Sequence, residues 1–378
     1  MSEVASISPP KISMPVNSGR AVTAYLKPSD YCNVGCDHCY LPLAVRANKS
    51  RMSDHTLDRA IDTIRDMVAR QRAPGAMVVW HGGEPLALPK EYFRQACERV
   101  REKMPDAIQT IQTSLVPYND QWSDLIREYM DGHIGTSIDF SQRKIRGSVE
   151  RYHDMWLEKV RLAWSHGFSV TPGVVPSKGE IGRGSEVTSW MNKQGFDSWN
   201  IDRYNSFGKE DENRPTNQEH SLFLTEVFDT VMDLYQAGHT MKVNTVQAAL
   251  GGVIMNLPGD RWGGSCSRDF IVVNPDGSTS ACPDKISFED FGNISEGYEG
   301  FSKSDARKQW IREHISGHRN DHCGTCKFNS FCRSGCPLTP NAPEKEGECS
   351  GYNRHLIHVM EFAKMNPALA QSYLKDVS

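Results

Sequence analysis

The 378-residue chain lacks any apolar run near the roughly 20 residues that cross a membrane, and it lacks a large excess of either charge. Its 43 lysines and arginines face 47 aspartates and glutamates, and the net charge of −4 predicts no nucleic-acid partner. The N-terminus also lacks the basic start and apolar core of a secretion signal. We therefore expect a cytoplasmic protein that binds neither nucleic acid nor a membrane.

A cytoplasmic chain has little use for disulfides, because that compartment keeps thiols reduced. Yet this sequence has 11 cysteines, and all but Cys97 fall in two groups near the two ends of the chain. Clustered cysteines in a reducing compartment are typical of metal ligands. Cys97 lies among apolar residues of a predicted helix, so we interpret it as a buried core residue.

The first group is a triad, with three residues between Cys32 and Cys36 and two between Cys36 and Cys39. A structural zinc site needs a fourth protein ligand to close its tetrahedron. A four-iron cluster that only carries electrons is held by four cysteines. Three thiolates on one loop therefore indicate a cluster with one open position, which binds something else.

The second group has too many thiolates for one tetrahedral site and suits two sites, with four and three ligands. Two structural zinc sites remain an alternative at this point. An Asn-Pro-Asp-Gly sequence between its first two members predicts a hairpin. The members are Cys266, Cys282, Cys323, Cys326, Cys332, Cys336 and Cys349.

Residues 21–235 alternate between short apolar runs and helical periodicity, which predicts six strand–helix units. Such units form parallel strands with right-handed crossovers, and six are too few for a closed eight-stranded barrel. We expect an α/β fold, a partial (β/α)6 TIM-like barrel, with its chemistry at the carboxyl ends of the strands. The cysteine triad follows the first strand, at that end.

The expected domains are a flexible arm at 1–20, the barrel at 21–245, a small cysteine-rich domain at 246–350, and a C-terminal helix and tail at 351–378. Beyond about residue 240, glycine, aspartate, serine and cysteine become frequent. We expect no long periodic helix there before the last one, at Tyr352–Met365.

Both cysteine patterns, in this order, resemble the radical S-adenosylmethionine (SAM) superfamily with a C-terminal SPASM domain. The resemblance covers residues 21–350 and includes peptide maturases and anaerobic sulfatase maturases. It implies that the triad holds a 4Fe–4S cluster whose open iron binds SAM. It also implies that SAM is cleaved to a 5'-deoxyadenosyl radical, which abstracts a hydrogen atom from the substrate.

The resemblance further implies which residues contact SAM. Gly82, Gly83 and Glu84 would meet its amino group, and Ser137 would lie near its carboxylate. An arginine often pairs with the same carboxylate, because a guanidinium fork suits a planar anion. Arg143, Arg146 and Arg151 are the candidates, with a solvated surface position as the alternative for each, and Arg146 is preferred. Gln112 stands where relatives carry a glutamine. Tyr40 and His38, which flank Cys39, would pack on the adenine or on the cluster loop. Phe140 after Asp139 departs from the family's Asp-Gly.

SPASM enzymes carry two auxiliary iron–sulfur clusters. By resemblance, Cys323, Cys326, Cys332 and Cys349 would hold the outer 4Fe–4S cluster, and Cys266, Cys282 and Cys336 the inner one.

The inner cluster would have only three thiolates, because the family's eighth cysteine is absent from residues 259–265. Its fourth position is an open iron or a non-thiolate ligand, with Asp260 as one candidate. Asp284 is a candidate catalytic base. However, sulfatase maturases carry their aspartate directly after the cysteine, where this chain has Pro283.

The expected function is oxidation of a peptide or protein side chain, above all crosslink formation in a ribosomally made peptide, with the auxiliary clusters as electron acceptors. The alternatives are a formylglycine-forming sulfatase maturase, oxidation or epimerisation of a small molecule such as an aminoglycoside, and a zinc-rich binding module without catalysis. Expected partners are the substrate and a reductant such as flavodoxin or ferredoxin. Because the arm is short, a separate leader-binding protein is also considered.

Overall fold

The computed structural model describes residues 20–36, 39, 41–204, 211–280, 282–283, 291–314 and 321–378. The expected N-terminal arm lies, except for Arg20, outside the described residues. The chain divides into two compact units. The first contains Met1–Ile138, Arg143–Thr171 and Arg268–Arg307, and the second contains Asp139–Gln142, Pro172–Ser267 and Lys308–Ser378. The units alternate along the sequence, whereas we expected one boundary near residue 245.

Strands and helices follow the predicted alternation through most of the first 240 residues. The strands of the described residues are β1 (Val22–Leu26), β2 (Gly35–Cys36), β3 (Ala76–Trp80), β4 (Ile108–Thr113), β5 (His133–Ser137), β6 (Arg143–Lys144), β7 (Ser169–Val174), β8 (Ser198–Ile201), β9 (Lys242–Val243), β10 (Phe270–Val273) and β11 (Thr279–Ser280).

The described α-helices are α1 (Leu43–Arg46), α2 (Asp54–Gln71), α3 (Lys90–Lys103), α4 (Ser123–Tyr129), α5 (Val149–Ser165), α6 (Gly184–Gln194), α7 (Asn217–Gln236), α8 (Asn244–Met255), α9 (Gly297–Lys303), α10 (Asp305–His314), α11 (Asn329–Cys332), α12 (Pro343–Glu346), α13 (Asn353–Met365) and α14 (Pro367–Val377).

The sheet of the first unit has the order β11-β10-β1-β3-β4-β5. Strand β1 pairs in parallel with β3, from Val22 opposite Ala76 to Leu26 opposite Trp80, and in parallel with β10 on its other side. Only β11 runs antiparallel, at the hairpin after β10. The carboxyl ends of the parallel strands therefore lie at one edge, which is the edge expected to carry the chemistry.

Sequence signals predicted several local features that the structure confirms. Ser53 caps α2 by accepting a hydrogen bond from the Thr56 amide at 3.0 Å. The Asn-Pro-Asp-Gly sequence turns between β10 and β11, with Gly277 at a φ of 84°. Glycine adopts this left-handed conformation without the steric cost that a Cβ brings.

In the second unit, the end of β7 pairs in parallel with β8, and β8 pairs in parallel with β9. Strand β9 and helix α8 add a strand–helix unit beyond the predicted six. Our expectation that no long helix lies between about residue 240 and Tyr352 is wrong, because α8 and α10 both lie there. Helix α8 is apolar along most of its length and has no side-chain cap, so its sequence shows neither a polar face nor a start signal.

Among the described helices, none combines the length and apolar character needed to cross a bilayer.

His355 of α13 is a buried histidine in the second unit. It is 1 % exposed, its Nδ1 lies 3.1 Å from the Thr225 hydroxyl, and its ring stacks on Trp262 at 6.3 Å between centroids. Burial and, to a smaller extent, the charge of Arg261 together lower the pKa of His355 to about 3. An unfolded histidine titrates near pH 6.5, so below that pH the unfolded state binds a proton that the folded state excludes.

We therefore predict that the contribution of His355 to stability is complete above pH 6.5 and is lost as the pH falls from 6.5 towards 3. Between pH 6.5 and 5.5 the loss is about 1 kcal/mol. Urea unfolding at both pH values should show a loss that is smaller by this amount in His355→Leu than in the wild type, because other buried histidines such as His81 keep their own share. The matched control His239→Gln, at an exposed site, should keep the wild-type difference. An equal pH dependence in His355→Leu and the wild type would contradict the prediction.

Candidate active site

The cysteine triad lies on the loop after β1. Within it, β2 pairs antiparallel with β6, so that Cys36 lies opposite Arg143. The Arg143 guanidinium approaches the Cys36 Sγ at 3.3 Å, and the Val34 amide donates to the Cys32 Sγ at 3.4 Å. Hydrogen bonds from charged and amide donors stabilise thiolates, which are the form that ligates metals.

All three thiols are only partly exposed. Burial raises the pKa of Cys32 to about 12, and the nearby negative charges of Glu84 and the other two cysteines add to the effect. Because burial makes the Cys32 thiolate unfavourable, it needs a bound cation to compensate its charge, and metal binding releases its proton. The donor set of Cys32, Cys36 and Cys39 thus fits an iron–sulfur cluster with three protein ligands.

Gly82 and Gly83 lie against the segment that leads into the triad. A Cβ on Gly83 would come within 2.1 Å of the Tyr31 carbonyl oxygen, and one on Gly82 within 2.4 Å of the Ser29 carbonyl oxygen. The Gly83 and Glu84 amides donate to these same carbonyls, at 3.0 Å from Ser29 and 2.8 Å from Tyr31. The absence of side chains therefore lets the loop after β3 hold the backbone just before Cys32.

The Glu84 carboxylate is buried, with 2 % of the residue exposed. One oxygen accepts from the Thr113 hydroxyl at 2.6 Å and the Leu86 amide at 3.0 Å. The other accepts from the Ser114 amide at 2.8 Å and from the Ser114 hydroxyl. Through the donors of Thr113 and Ser114, Glu84 joins the loop after β3 to the end of β4.

Gln112 and Ser137 end neighbouring strands, β4 and β5. The Gln112 amide donates to the Ser137 hydroxyl at 3.0 Å, and the Tyr152 hydroxyl donates to the Ser137 carbonyl at 2.9 Å. The structure therefore brings together two residues that the sequence placed at separate strand ends. Their polar side chains lie at the carboxyl edge of the first unit's sheet.

Arg146 lies at the tip of a tight turn between β6 and α5. It has a φ of 51° and is followed by Gly147 at 79°, and its side chain is exposed. Arg143, one of its two competitors, instead contacts the triad through Cys36. The geometry thus favours Arg143 over Arg146 as the arginine nearest the cluster loop. Sequence reasoning missed this because the register between β2 and β6 decides which arginine lies opposite Cys36.

Four cysteines of the C-terminal group gather in the second unit. Burial raises the pKa of Cys332 to about 12, with further effects from Cys349, Cys326 and Cys323. The Ser334 hydroxyl donates to the Cys323 Sγ at 3.3 Å.

The loop after Cys332 is tightly wound. A Cβ on Gly335 would come within 2.1 Å of the Ser350 carbonyl oxygen, and one on Gly351 within 2.5 Å of the Cys332 Sγ. The close packing and the mutual electrostatic effects of the four thiols fit a ligand set for one cluster.

For the inner cluster, Cys266 and Cys336 belong to the second unit and Cys282 to the first. Asp260, the candidate fourth ligand, has both carboxylate oxygens engaged. Oδ1 accepts from Asn244 at 3.2 Å and Oδ2 from Arg261 at 2.8 Å. These contacts support a structural role for Asp260 in its turn. Three other candidate residues, Tyr40, His38 and Asp284, lie outside the described residues.

A site for a single metal ion, such as zinc, is the alternative to an iron–sulfur cluster. Among the residues that the structure describes, no three His, Cys, Asp or Glu side chains are placed to hold one metal ion. Ligands of a four-iron cluster bind different irons and need not converge on one point, whereas zinc ligands must. The zinc-module alternative therefore gains no support from this geometry.

Lys27, at the end of β1, is a polar residue that sequence reasoning missed. It is 1 % exposed, and its Nζ donates to the Pro283 carbonyl at 2.5 Å. Its charge, after burial, contributes to lowering the pKa of His81 to about 3. The sequence signal that could have identified Lys27 is a lysine directly after an apolar strand. Through its hydrogen bond to Pro283, Lys27 connects the residue after Cys282 to the first strand.

We predict that Glu84→Gln lowers the free energy of unfolding of the cluster-free protein by about 2–3 kcal/mol. The side-chain NH2 of the glutamine would face the Thr113 hydroxyl or the Ser114 amide, which now donate to the Glu84 carboxylate, so one of these donors would lose its acceptor. Chemical denaturation measures the change.

Glu91→Gln, at an exposed position early in α3, is the matched control and should stay within about 0.5 kcal/mol of the wild type. Equal stability of Glu84→Gln and Glu91→Gln would show that the Glu84 contacts are not structural.

Comparisons with known proteins agree with this site. The family described as the Radical SAM superfamily matches residues 26–181, which include the triad, Gly82–Glu84 and Ser137. The serine-type anaerobic sulfatase-maturating enzyme of Klebsiella aerogenes is 23% identical over 353 residues, which are 87% of this chain and 82% of that protein. An uncharacterized protein of Synechocystis sp. is 29% identical over 130 residues, only 32% of this chain and 31% of its own length.

Among solved structures, native anSMEcpe with bound AdoMet and Cp18Cys peptide superposes with a TM-score of 0.75 at 16% identity, covering 95% of this chain and 100% of that one. This likeness establishes a common fold. Together, the family match and the cysteine triad on its loop identify residues 26–181 as a region of the Radical SAM superfamily.

Proposed function

We propose that the chain is a radical SAM oxidoreductase that modifies a side chain of a peptide or protein. The observation that carries the proposal is the triad loop itself. Three half-buried thiols lie there with hydrogen-bond donors aimed at two of the sulfurs. When bound, the 4Fe–4S cluster supplies the electron that cleaves SAM to methionine and the 5'-deoxyadenosyl radical.

The chain's own residues have distinct roles in this proposal. Cys32, Cys36 and Cys39 hold the cluster, and Arg143 stabilises the thiolate of Cys36. Gly82 and Gly83 fix the path of the chain before the triad, and Glu84 fixes the loop that carries them. The polar pair Gln112 and Ser137 offers a hydroxyl and an amide to the amino-acid part of SAM at the strand ends.

Two auxiliary clusters complete the proposal. Cys323, Cys326, Cys332 and Cys349 hold the outer one, and the gathering of these four thiols supports this. Cys266, Cys282 and Cys336 hold the inner one. Oxidation requires that the substrate radical lose a further electron, and iron–sulfur clusters span potentials wide enough to accept it. A flavodoxin- or ferredoxin-type reductant supplies the electron for SAM cleavage.

The proposed substrate is a peptide or protein. Support comes from the relative named as a sulfatase-maturating enzyme and from the structural neighbour with a bound peptide. Crosslink formation in a ribosomally made peptide is the first candidate reaction, and formylglycine formation in a sulfatase is the second. The relatives favour the second. Pro283 replaces the aspartate that sulfatase maturases carry there, which favours the first.

We predict that Cys32→Ala/Cys36→Ala/Cys39→Ala abolishes reductive SAM cleavage, because no other thiol set leaves an iron open to SAM on this loop. Anaerobic reconstitution should load the wild type with about twelve irons, four for each of three clusters, and the triple variant with about four fewer. Iron analysis and chromatography of 5'-deoxyadenosine measure both effects.

Cys97→Ala is the matched control, because Cys97 is a fully buried thiol of α3 with no ligand role. Its iron content and SAM cleavage should match the wild type. Cleavage that persists in the triple variant, or uptake of zinc in place of iron, would overturn the proposal.

The reaction class is tested with two substrates, a sulfatase-derived peptide with its target serine or cysteine and short peptides encoded beside the gene. We expect mass loss of two hydrogens in one of the neighbouring peptides, read by mass spectrometry under SAM turnover. Formylglycine in the sulfatase peptide alone would instead establish the second reaction. If neither peptide changes while SAM is cleaved, the peptide assignment is wrong.

A further inference from the structure

The segment just after the cysteine triad contains an apolar helix that the fold does not bury. Helix α1, Leu43–Arg46, has three apolar residues among its four, and none of the four is buried. Leu43 is 71 % exposed. A surface helix normally turns its apolar residues towards the core, and a helix this short is marginal by itself in water. Packing in the core therefore does not account for the apolar residues of α1.

Three cations lie at the end of α1 and just after it. Between residues 41 and 53 the chain has Arg46, Lys49 and Arg51 and no acidic residue, although the whole chain has a net charge of −4. Lys49 and Arg51 are exposed, and Arg46 is half-buried. Within the part of the chain that the structure describes, none of the three forms an ion pair with a carboxylate. The segment therefore carries three positive charges that no acid compensates.

The same segment is attached to the triad loop. The Cys32 amide donates to the Arg46 carbonyl at 2.9 Å, and the Arg46 guanidinium donates to the Val34 carbonyl at 3.5 Å. The Lys49 ammonium lies 5.4 Å from the ring centroid of Tyr31, the residue before Cys32. The positive segment therefore contacts the backbone that carries the first thiol. The name α1 surface is used below for Leu43, Arg46, Lys49 and Arg51.

The contacts of Arg51 orient its side chain without neutralising it. Its guanidinium lies 4.7 Å from the ring centroid of Tyr92, whose hydroxyl donates to the Met52 carbonyl at 2.8 Å. An aromatic face attracts a cation but leaves its charge intact. The first acid after the segment, Asp54, is itself paired with Arg99 at 2.8 Å. The positive charge of the α1 surface is therefore available to a partner from solution.

An exposed leucine among cations has the composition of a transient protein interface. Burial of the apolar side chain supplies affinity, and the charges steer the encounter with a partner of opposite sign. Electron-transfer complexes use small, weak interfaces of this kind. The short helix and its three cations suit such an interface better than a large permanent one.

We propose that the α1 surface docks a small acidic electron-carrier protein of the flavodoxin class. The inference rests on the proposed function, which needs one electron for each SAM that is cleaved. In the docked complex one electron passes from the reduced flavin to the cluster held by the triad, and no bond forms or breaks in this step. Because Arg46 is hydrogen-bonded to Cys32 and Val34, a carrier docked there contacts the loop that holds the cluster.

Docking is measured by isothermal titration calorimetry, with oxidised flavodoxin titrated into the reconstituted full-length protein at low salt. We expect Lys49→Glu/Arg51→Glu to weaken binding at least tenfold, because the new acids repel the acidic carrier. Leu43→Ser should weaken binding about fivefold, because it removes apolar area from the interface. Added salt should weaken binding much more in the wild type than in the charge-reversed variant.

Arg72→Glu/Arg161→Glu is the matched control, because both arginines are exposed in the same unit and the change in net charge is identical. It should bind flavodoxin within about twofold of the wild type. Equal weakening in the two double variants would reduce the effect to net charge and overturn the proposal, as would undiminished binding by Lys49→Glu/Arg51→Glu. A wild-type dimer in sedimentation that Leu43→Ser dissociates would assign the surface to a second copy of the chain and also overturn it.

A second measurement separates docking from chemistry. Dithionite, a small inorganic reductant, needs no docking surface, so with it Lys49→Glu/Arg51→Glu should cleave SAM at the wild-type rate. With reduced flavodoxin the same variant should cleave SAM at least tenfold more slowly. Equally slow cleavage with both reductants would place the effect in the triad loop and overturn the proposal. A wild type that cleaves no SAM even with dithionite would refute the proposed function, whereas the calorimetry would still decide whether the α1 surface docks the carrier.

Discussion

The first unit depends on one close approach, in which the backbone after β3 lies directly on the backbone that leads into the cysteine triad. Only glycine at residues 82 and 83 permits it, because a Cβ on either would overlap a carbonyl oxygen of Ser29 or Tyr31. The buried carboxylate of Glu84 then fastens this contact to the end of β4. The metal-binding loop is therefore held on rigid strands, although its described residues form only the two-residue strand β2.

In the second unit, tightly wound loops rather than neighbouring strands position the cysteines. In one such loop, Arg333, Ser334 and Gly335 all have positive φ angles. Arg333 and Ser334 carry a Cβ, so their left-handed conformation stores strain that the surrounding contacts must maintain. The side chain of Arg261 is also constrained, because it is fully buried and its guanidinium contacts the Ile201 carbonyl, Asp260 and His220. Charged groups buried in this way favour one geometry over its alternatives.

The sequence predicted the strands well because each is a short apolar run between turn residues, as Ala76–Trp80 is between Pro-Gly and Gly-Gly. The cysteine triad could be recognised from its spacing, because ligands on one loop must be close together, whereas the division of the other seven cysteines into two sets came from the resemblance. Helix α8 could not be found, because an almost wholly apolar segment has no period. Neither could the role of Glu84 or the contact of Arg143, since both depend on the register between segments far apart in sequence.

Neither unit is a continuous piece of chain. Strand β1 lies between β3, which follows it closely, and β10, whose Phe270 pairs with Thr23. During synthesis on the ribosome, the first strand thus has one edge unpaired until most of the polypeptide has emerged. Long-range parallel pairing is slow, and unpaired edges favour aggregation. The same connectivity means that a nascent chain acquires its metal-binding loop long before the sheet beneath that loop is complete.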